Sequence, residues 1–213
     1  IKEFLQKLRD RCTKVGTLLI FDEIMTGFRL SANGAAAIFD VRSDIVTYGK
    51  VLGGGFPIGA VGARTEIMKT KNVFYGGTFS ANPLSMYAAR LVLETIIDKK
   101  YIQYEKLNDA GKTFRDELNK FFIKQNIKMR VIGCGPLNRI IFTDKFIRNR
   151  KERDEFEPHA AAATFSKKLQ ELGVFVNGNG LYHFSMAHTP EVAANLISLI
   201  KRAARDLSQL EKL

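Results

Sequence analysis

Residues 47–59 read Thr47-Tyr48-Gly49-Lys50-Val51-Leu52-Gly53-Gly54-Gly55-Phe56-Pro57-Ile58-Gly59, an apolar strand that runs into a lysine and then into a glycine-dense loop. Upstream, Leu18-Leu19-Ile20-Phe21 is a second apolar run, and it ends in the carboxylates Asp22 and Glu23. Taken singly, each feature is ordinary: a lysine after a strand is a solvated loop residue, an acidic pair is a polar strand end, and three consecutive glycines make a turn that uses positive φ. Taken in order, they deliver one amine and one carboxylate from the ends of two buried strands.

A chemistry that needs this pair is that of pyridoxal phosphate. An amine forms a Schiff base with the cofactor aldehyde, and a carboxylate on the pyridine nitrogen keeps the ring protonated as an electron sink. The surrounding stretches are long and ordered: Leu19-Ile20-Phe21-Asp22-Glu23-Ile24-Met25-Thr26-Gly27-Phe28-Arg29, then Asp44 through Gly59, then Gly76-Gly77-Thr78-Phe79-Ser80-Ala81-Asn82-Pro83-Leu84, with a shorter block Phe184-Ser185-Met186-Ala187-His188-Thr189. These blocks resemble the class III pyridoxal-phosphate aminotransferases of fold type I, and within them the glutamate-1-semialdehyde 2,1-aminomutase branch. The resemblance runs through nearly the whole chain.

The resemblance implies specific roles. Lys50 would carry the Schiff base and later move the proton, and Asp22 would pair with the pyridinium nitrogen. Ile24 would pack on one face of the ring, and the Thr78 hydroxyl and N–H would hold the cofactor phosphate of a partner subunit, which makes a homodimer with shared sites. Glu23 points to the opposite side of the strand from Asp22 and reads as structural. In a buried site beside a cationic ring the lysine would be tuned towards neutrality, while Asp22 would stay ionised.

The fold expected from the resemblance is α/β. Residues 1–105 would be the carboxy-terminal part of a mostly parallel-sheet large domain, and residues 106–213 an α+β small domain. Family members place the site at the carboxyl ends of strands, where open α/β sheets bind ligands. The pattern within the chain agrees with two parts. Ile1, Phe4, Leu5 and Leu8 share a helical face, Gly16 ends that helix, and strands are expected at 18–21, 45–48 and 58–62. Asn82-Pro83 starts a helix to Asp98, and a second spans about 102–125. Strands at 128–132 and 139–143 flank the turn Gly133-Cys134-Gly135-Pro136. A helix over 158–172, short strands at 174–176 and 183–186, and a closing helix over 190–210 complete the pass.

Composition is that of an ordinary globular chain: 213 residues, 46% hydrophobic, with 17 glycines and 5 prolines. Its apolar stretches fall far short of the ~20 residues of a membrane-spanning helix, and its opening residues do not read as a signal peptide. Cys12 and Cys134 have no metal-ligand spacing, so no metal is expected, and the expected compartment is the reducing cytoplasm. The net charge of +11 raises nucleic-acid binding as a competing class. Of its basic clusters, at 120–130 and 145–153, the second contains Glu152 and is followed by Asp154, Glu155 and Glu157, and both read as solvated faces. His188 precedes a helix and reads as a cap or turn residue, and His183 as strand packing.

Two departures from the family pattern shape the functional expectation. The same-subunit phosphate loop and the ring-stacking aromatic of family members lie upstream of the position that corresponds to Ile1, so the 213 residues alone are expected to be inactive. Aminomutases also carry a glutamate where this chain has Gly180. The expected activity is therefore amino transfer from a small-molecule amino acid to a ketone or aldehyde through Lys50. The alternatives are an intramolecular aminomutase and a non-catalytic scaffold.

Overall fold

The computed structural model describes residues 1–70, 76–98, 104–158 and 160–211. These form two compact units, Ile1–Tyr104 and Glu105–Leu213.

The first unit opens with helix α1 (Lys2–Val15). Gly16, at φ 69°, stops it in the left-handed conformation, and the Thr17 N–H closes onto the Cys12 carbonyl at 2.9 Å. The anticipated apolar face is only partly used: Leu5 and Leu8 are half-buried, whereas Ile1 and Phe4 are exposed. Strand β1 (Ile20–Asp22) begins two residues later than its apolar run suggests. It pairs in parallel with β2 (Ile45–Gly49), which pairs antiparallel with β3 (Gly59–Ala63). This three-stranded sheet of the first unit is thus mixed, with the order β1-β2-β3.

A carboxylate ties these elements together. Asp44, just before β2, accepts the Leu19 N–H at 2.7 Å and the Arg9 Nη1 of α1 at 2.6 Å, with Arg64 after β3 at 3.1 Å. The Leu19 hydrogen bond first, and the Arg9 hydrogen bond next, hold the Asp44 carboxyl below its ordinary range. Short helices α2 (Gly34–Phe39) and α3 (Thr65–Met68) follow β1 and β3. Helix α4 (Pro83–Asp98) starts as the Asn82-Pro83 signal requires: the Asn82 carboxamide oxygen accepts from the Leu84 and Ser85 N–H groups at 3.1 and 3.2 Å.

The second unit is a helix-backed antiparallel sheet. Helix α5 (Tyr104–Lys124) begins at a described residue two places after Ile102, which lies outside the described residues. Strands β4 (Arg130–Cys134) and β5 (Leu137–Ile141) form a hairpin with Gly135-Pro136 as its two-residue turn, and β6 (Leu181–His183) joins the other edge of β5. Helices α6 (Arg150–Phe156), α7 (Ala161–Glu171) and α8 (Pro190–Glu211) complete it. Phe114, Leu118 and Phe122 recur at helical spacing on α5 and meet Phe165, Leu169 and Ile200 in one cluster.

The strands expected at 128–132, 139–143 and 183–186 are each displaced by two residues, to Arg130–Cys134, Leu137–Ile141 and Leu181–His183, and two further readings of this unit change. Residues 174–176 are not a strand: Gln170 donates its side-chain amide to the Val176 carbonyl and Ser166 its hydroxyl to Asn177, so side chains take the acceptors a ladder would use. The basic run conceals a helix, α6, whose Asn149 caps the Glu152 N–H while Glu152 accepts the Arg148 N–H.

Candidate active site

The parallel pairing of β1 with β2 decides the geometry. Its register sets Asp22 opposite Thr47, three residues before Lys50, so both functional groups leave the sheet at the same carboxyl edge. The Thr47 hydroxyl lies 3.4 Å from Asp22 Oδ1. Asp22 is oriented by its own chain: Oδ1 accepts the Ile24 N–H at 3.0 Å, an Asx-type turn. Oδ2 accepts no hydrogen bond among the described residues. Ile24 lies over the end of β2, where a Cβ added at Gly49 would stand 3.6 Å from its Cγ2.

Lys50 opens a single 3₁₀ turn, Lys50–Gly53, with its own backbone at φ 47°. A side chain other than glycine in this region is held there by its surroundings at a cost of order 1 kcal/mol or more. The surroundings are visible. A Cβ added at Gly53 would stand 2.9 Å from Ile58 Cγ2, and one at Gly54 3.0 Å from Val92 Cγ2 of α4. The glycines thus serve close packing of the turn against β3's approach and α4. Lys50 Nζ lies 2.6 Å from Met25 Sδ and has no carboxylate partner among the described residues.

Asp22 and Lys50 are both exposed, and β1 and β2 are half-covered rather than buried, which corrects the expectation of two buried strands. Thr78 stands in an exposed turn before α4, and no hydrogen bond joins it to Asp22, Ile24 or Lys50. The structure thus brings three of the four expected residues together and leaves Thr78 apart.

Glu23, one residue after Asp22, is 2% exposed. Its carboxylate accepts the Ala35 and Ala36 N–H groups at 2.9 and 2.8 Å and the Thr26 hydroxyl. A fixed negative charge at the first turn of α2 is favourable, and it anchors the loop that leaves Asp22. The structural role read from strand alternation is what the geometry shows.

Arg29 has no counterpart in the reading of the sequence beyond its place in a quoted block. It lies in the turn after β1, where its Nε is buried with no acceptor among the described residues, and burial pulls its guanidinium below its ordinary value. With Lys50, Val51 and Leu91 it lines a cavity of about 630 Å³. In the second unit, His188 does make a turn, its Nδ1 meeting the Ser185 N–H and hydroxyl at 3.1 and 2.9 Å. His183 ends β6, opposite Leu137.

Comparison with known proteins gives this arrangement its context. The family model described as Aminotransferase class-III matches residues 1–200. The chain belongs to this family. It is 36% identical, over 205 residues, to glutamate-1-semialdehyde 2,1-aminomutase 2 of Lachnoclostridium phytofermentans, an overlap covering 93% of this chain and 48% of that protein. The crystal structure of a β-phenylalanine aminotransferase from Variovorax paradoxus matches with a TM-score of 0.88 at 28% identity, covering 99% of this chain and 49% of the other. A glutamate-1-semialdehyde aminomutase from Pseudomonas aeruginosa, solved in complex with PMP, has the same fold at 17% identity, with a TM-score of 0.85 over 97% of this chain and 48% of that one. The chain spans about half the length of the relatives it matches. Its α/β architecture is that of these fold-type-I enzymes over that half.

Proposed function

We propose that this chain supplies the amine, the ring-facing carboxylate and one ring-covering side chain of a pyridoxal-phosphate-dependent aminotransferase, which moves an amino group from an amino acid to a ketone or aldehyde. The observation that carries the reading is the emergence of Asp22 and Lys50 at one sheet edge from adjacent parallel strands. Family membership supports it.

The donor set fits the cofactor. Asp22 Oδ2 is an open acceptor for a ring N–H among the described residues, Lys50 is not engaged by a carboxylate among them, and Ile24 offers an apolar surface beside Gly49, the residue before Lys50. When bound, the cofactor supplies the electron sink that transamination requires. Lys50 would hold it through its amine, and Nζ would serve as the proton carrier. Asp22 would present a fixed negative charge to the ring nitrogen at no reorganisation cost. Thr78, exposed and apart from this group, serves the phosphate bound by a second copy in a homodimer. The free thiols of Cys12 and Cys134 suit a reducing compartment, and we infer the cytoplasm.

Similarity to aminomutases supports a second, intramolecular reading, but Gly180 disfavours it. Gly180 sits at φ 72°, and a Cβ there would come 2.7 Å from the Ile140 carbonyl oxygen, while its own carbonyl accepts the Ile140 N–H at 2.9 Å. A glutamate at this position would be strained and displaced. With the full-length protein, nitrogen-15 from a donor amino acid should appear in the product. Transfer confined to glutamate-1-semialdehyde would establish the mutase instead.

The decisive test of the chemistry is borohydride reduction of the full-length protein with pyridoxal phosphate. Lys50 should be covalently labelled, and Lys50→Ala should lose the label with the fold retained. Undiminished labelling of the alanine variant would end the assignment, and absence of any cofactor binding would favour a scaffold.

A further inference from the structure

The second unit holds a cavity of about 310 Å³ where the residues after α5 meet Phe142, α7 and α8. Its walls are mostly apolar, with Ile127, Met129, Phe142, Phe165, Ala204 and Leu207, and the Phe142 and Phe165 rings stand edge to face at 5.5 Å. An apolar cavity of about 150 Å³ takes up benzene, so this one has room for a ring with a short chain. A mostly apolar lining with a few polar groups is also the kind that binds small molecules. Lys128 is the charged residue of the lining, and it is exposed with no carboxylate partner among the described residues. The Asn126 carboxamide and the Thr164 hydroxyl, also in the lining, have no hydrogen bond among those residues either. Lys124, two residues before the lining begins, and Arg205, between Ala204 and Leu207 in sequence, are likewise without a carboxylate. The acids next in sequence to the lining are engaged: Glu157 accepts from Arg139 Nη2 and the Phe142 N–H at 3.2 and 3.3 Å, and Asp206 pairs with Lys168 at 3.5 Å. An apolar cavity with free cations and engaged acids around it complements an apolar anion.

We propose that this cavity is a binding site for an aryl alkanoate, a ring on a short chain that ends in a carboxylate, with the ring against Phe142 and Phe165 and the carboxylate at the mouth beside Lys128. Burial of the ring drives binding. The charged end stays in contact with water, so it is not desolvated, and it gains the attraction of the free ammonium. The site lies wholly within the second unit and does not depend on the chemistry at Lys50.

The test uses the full-length protein labelled with carbon-13 at its methionine methyls, with the Met129 resonance assigned through Met129→Leu. Titration with 3-phenylpropanoate should shift the Met129 resonance saturably and leave those of Met68 and Met86, in the first unit, unmoved. The cation 3-phenylpropylamine, of the same shape, should bind several-fold more weakly, and acetate, which has no ring to bury, should leave Met129 unmoved. Two variants, each checked for an unchanged melting profile, locate the ligand. Ala161→Phe places a ring in the cavity and should weaken 3-phenylpropanoate by roughly 10-fold or more. Lys128→Gln, at an exposed position that the fold does not need, should weaken it about 2- to 5-fold and remove most of its salt dependence. An unmoved Met129 resonance, equal binding of the amine, equal shifts at Met68 and Met86, or undiminished binding by Lys128→Gln overturns the proposal.

Discussion

The two units of this chain are of similar length and reach order by different means. In Glu105–Leu213, order comes from apolar packing: Phe114, Leu118, Phe122, Ile140, Leu169 and Ile200 are all completely buried. In Ile1–Tyr104, the largest fully buried side chain is a carboxylate, Glu23, and apolar residues such as Ile20, Val61, Leu84 and Tyr87 remain exposed. The site-bearing unit is held by polar locks, Glu23 on the start of α2 and Asp44 between Leu19, Arg9 and Arg64. Hydrogen bonds of this kind are directional, and they fix where strand ends point. A hydrophobic core is stronger in total but indifferent to direction.

This contrast can be broken most directly in the core of the second unit. Phe114→Ala removes a ring that contacts Tyr182 and Phe184 at centroid distances of 5.7 and 5.3 Å. It should cost about 3–5 kcal/mol. In peptide-resolved hydrogen exchange on the full-length protein, segments of 105–213 should lose protection and borohydride labelling of Lys50 should persist. Equal loss of protection in both units would show that their stabilities are not separable.

The next effect tests directionality at the site. Asp22→Asn keeps the shape and the Ile24 contact but removes the charge, so cofactor should still bind while the half-reaction with an amino donor slows roughly 10²–10³-fold. Rates near those of the wild type would assign ring protonation to another group.

Asp44 tests the polar lock itself. Its substitution by asparagine leaves Arg9 half-paired in a place where that side chain is 18% exposed, and should destabilise the first unit by about 3 kcal/mol. The pH dependence has a definite sign. The folded carboxyl is held below the unfolded value of about 3.9, so its stabilisation is complete above about pH 4 and is lost as pH falls through the lower folded value. Acid titration followed by exchange in peptides of β1 and β2 should show this loss, and Asp44→Asn should flatten it.

The smallest effect refines the other side of the comparison. Tyr182 buries its hydroxyl with no partner among the described residues, and burial raises its pKa. Tyr182→Phe should therefore stabilise the second unit by about 1 kcal/mol, read as a raised denaturation midpoint. A loss of stability would reveal that the hydroxyl is satisfied after all.

Much of this molecule is legible in its residues because the relevant physics is local. Gly16 ends α1, Asn82-Pro83 starts α4 and Gly135-Pro136 turns the β4–β5 hairpin through backbone and capping preferences that act within a few residues. The amine and carboxylate at strand ends, Lys50 and Asp22, were readable in the same way. Asn149 with Glu152 at the start of α6 is a capping signal of the same local kind, masked in the sequence by the charges around it.

Other features depend on segments far apart in the chain. Irregular backbone at 174–176 follows from hydrogen bonds donated by α7, and the left-handed backbone of Lys50 accompanies the close packing of its turn with Ile58 and Val92. The cavity beside Lys50 exists because Leu91 and Val92 of α4, far along the chain, form part of its wall. Sequence by itself determined which groups could do chemistry and where the capped or turn-bounded elements begin or end, as at Gly16 and Asn82-Pro83, since propensity, capping and alternation are short-range. Tertiary structure alone decided which of those groups are desolvated, strained or left without a partner, since those conditions are set by neighbours that the chain brings together only when it folds.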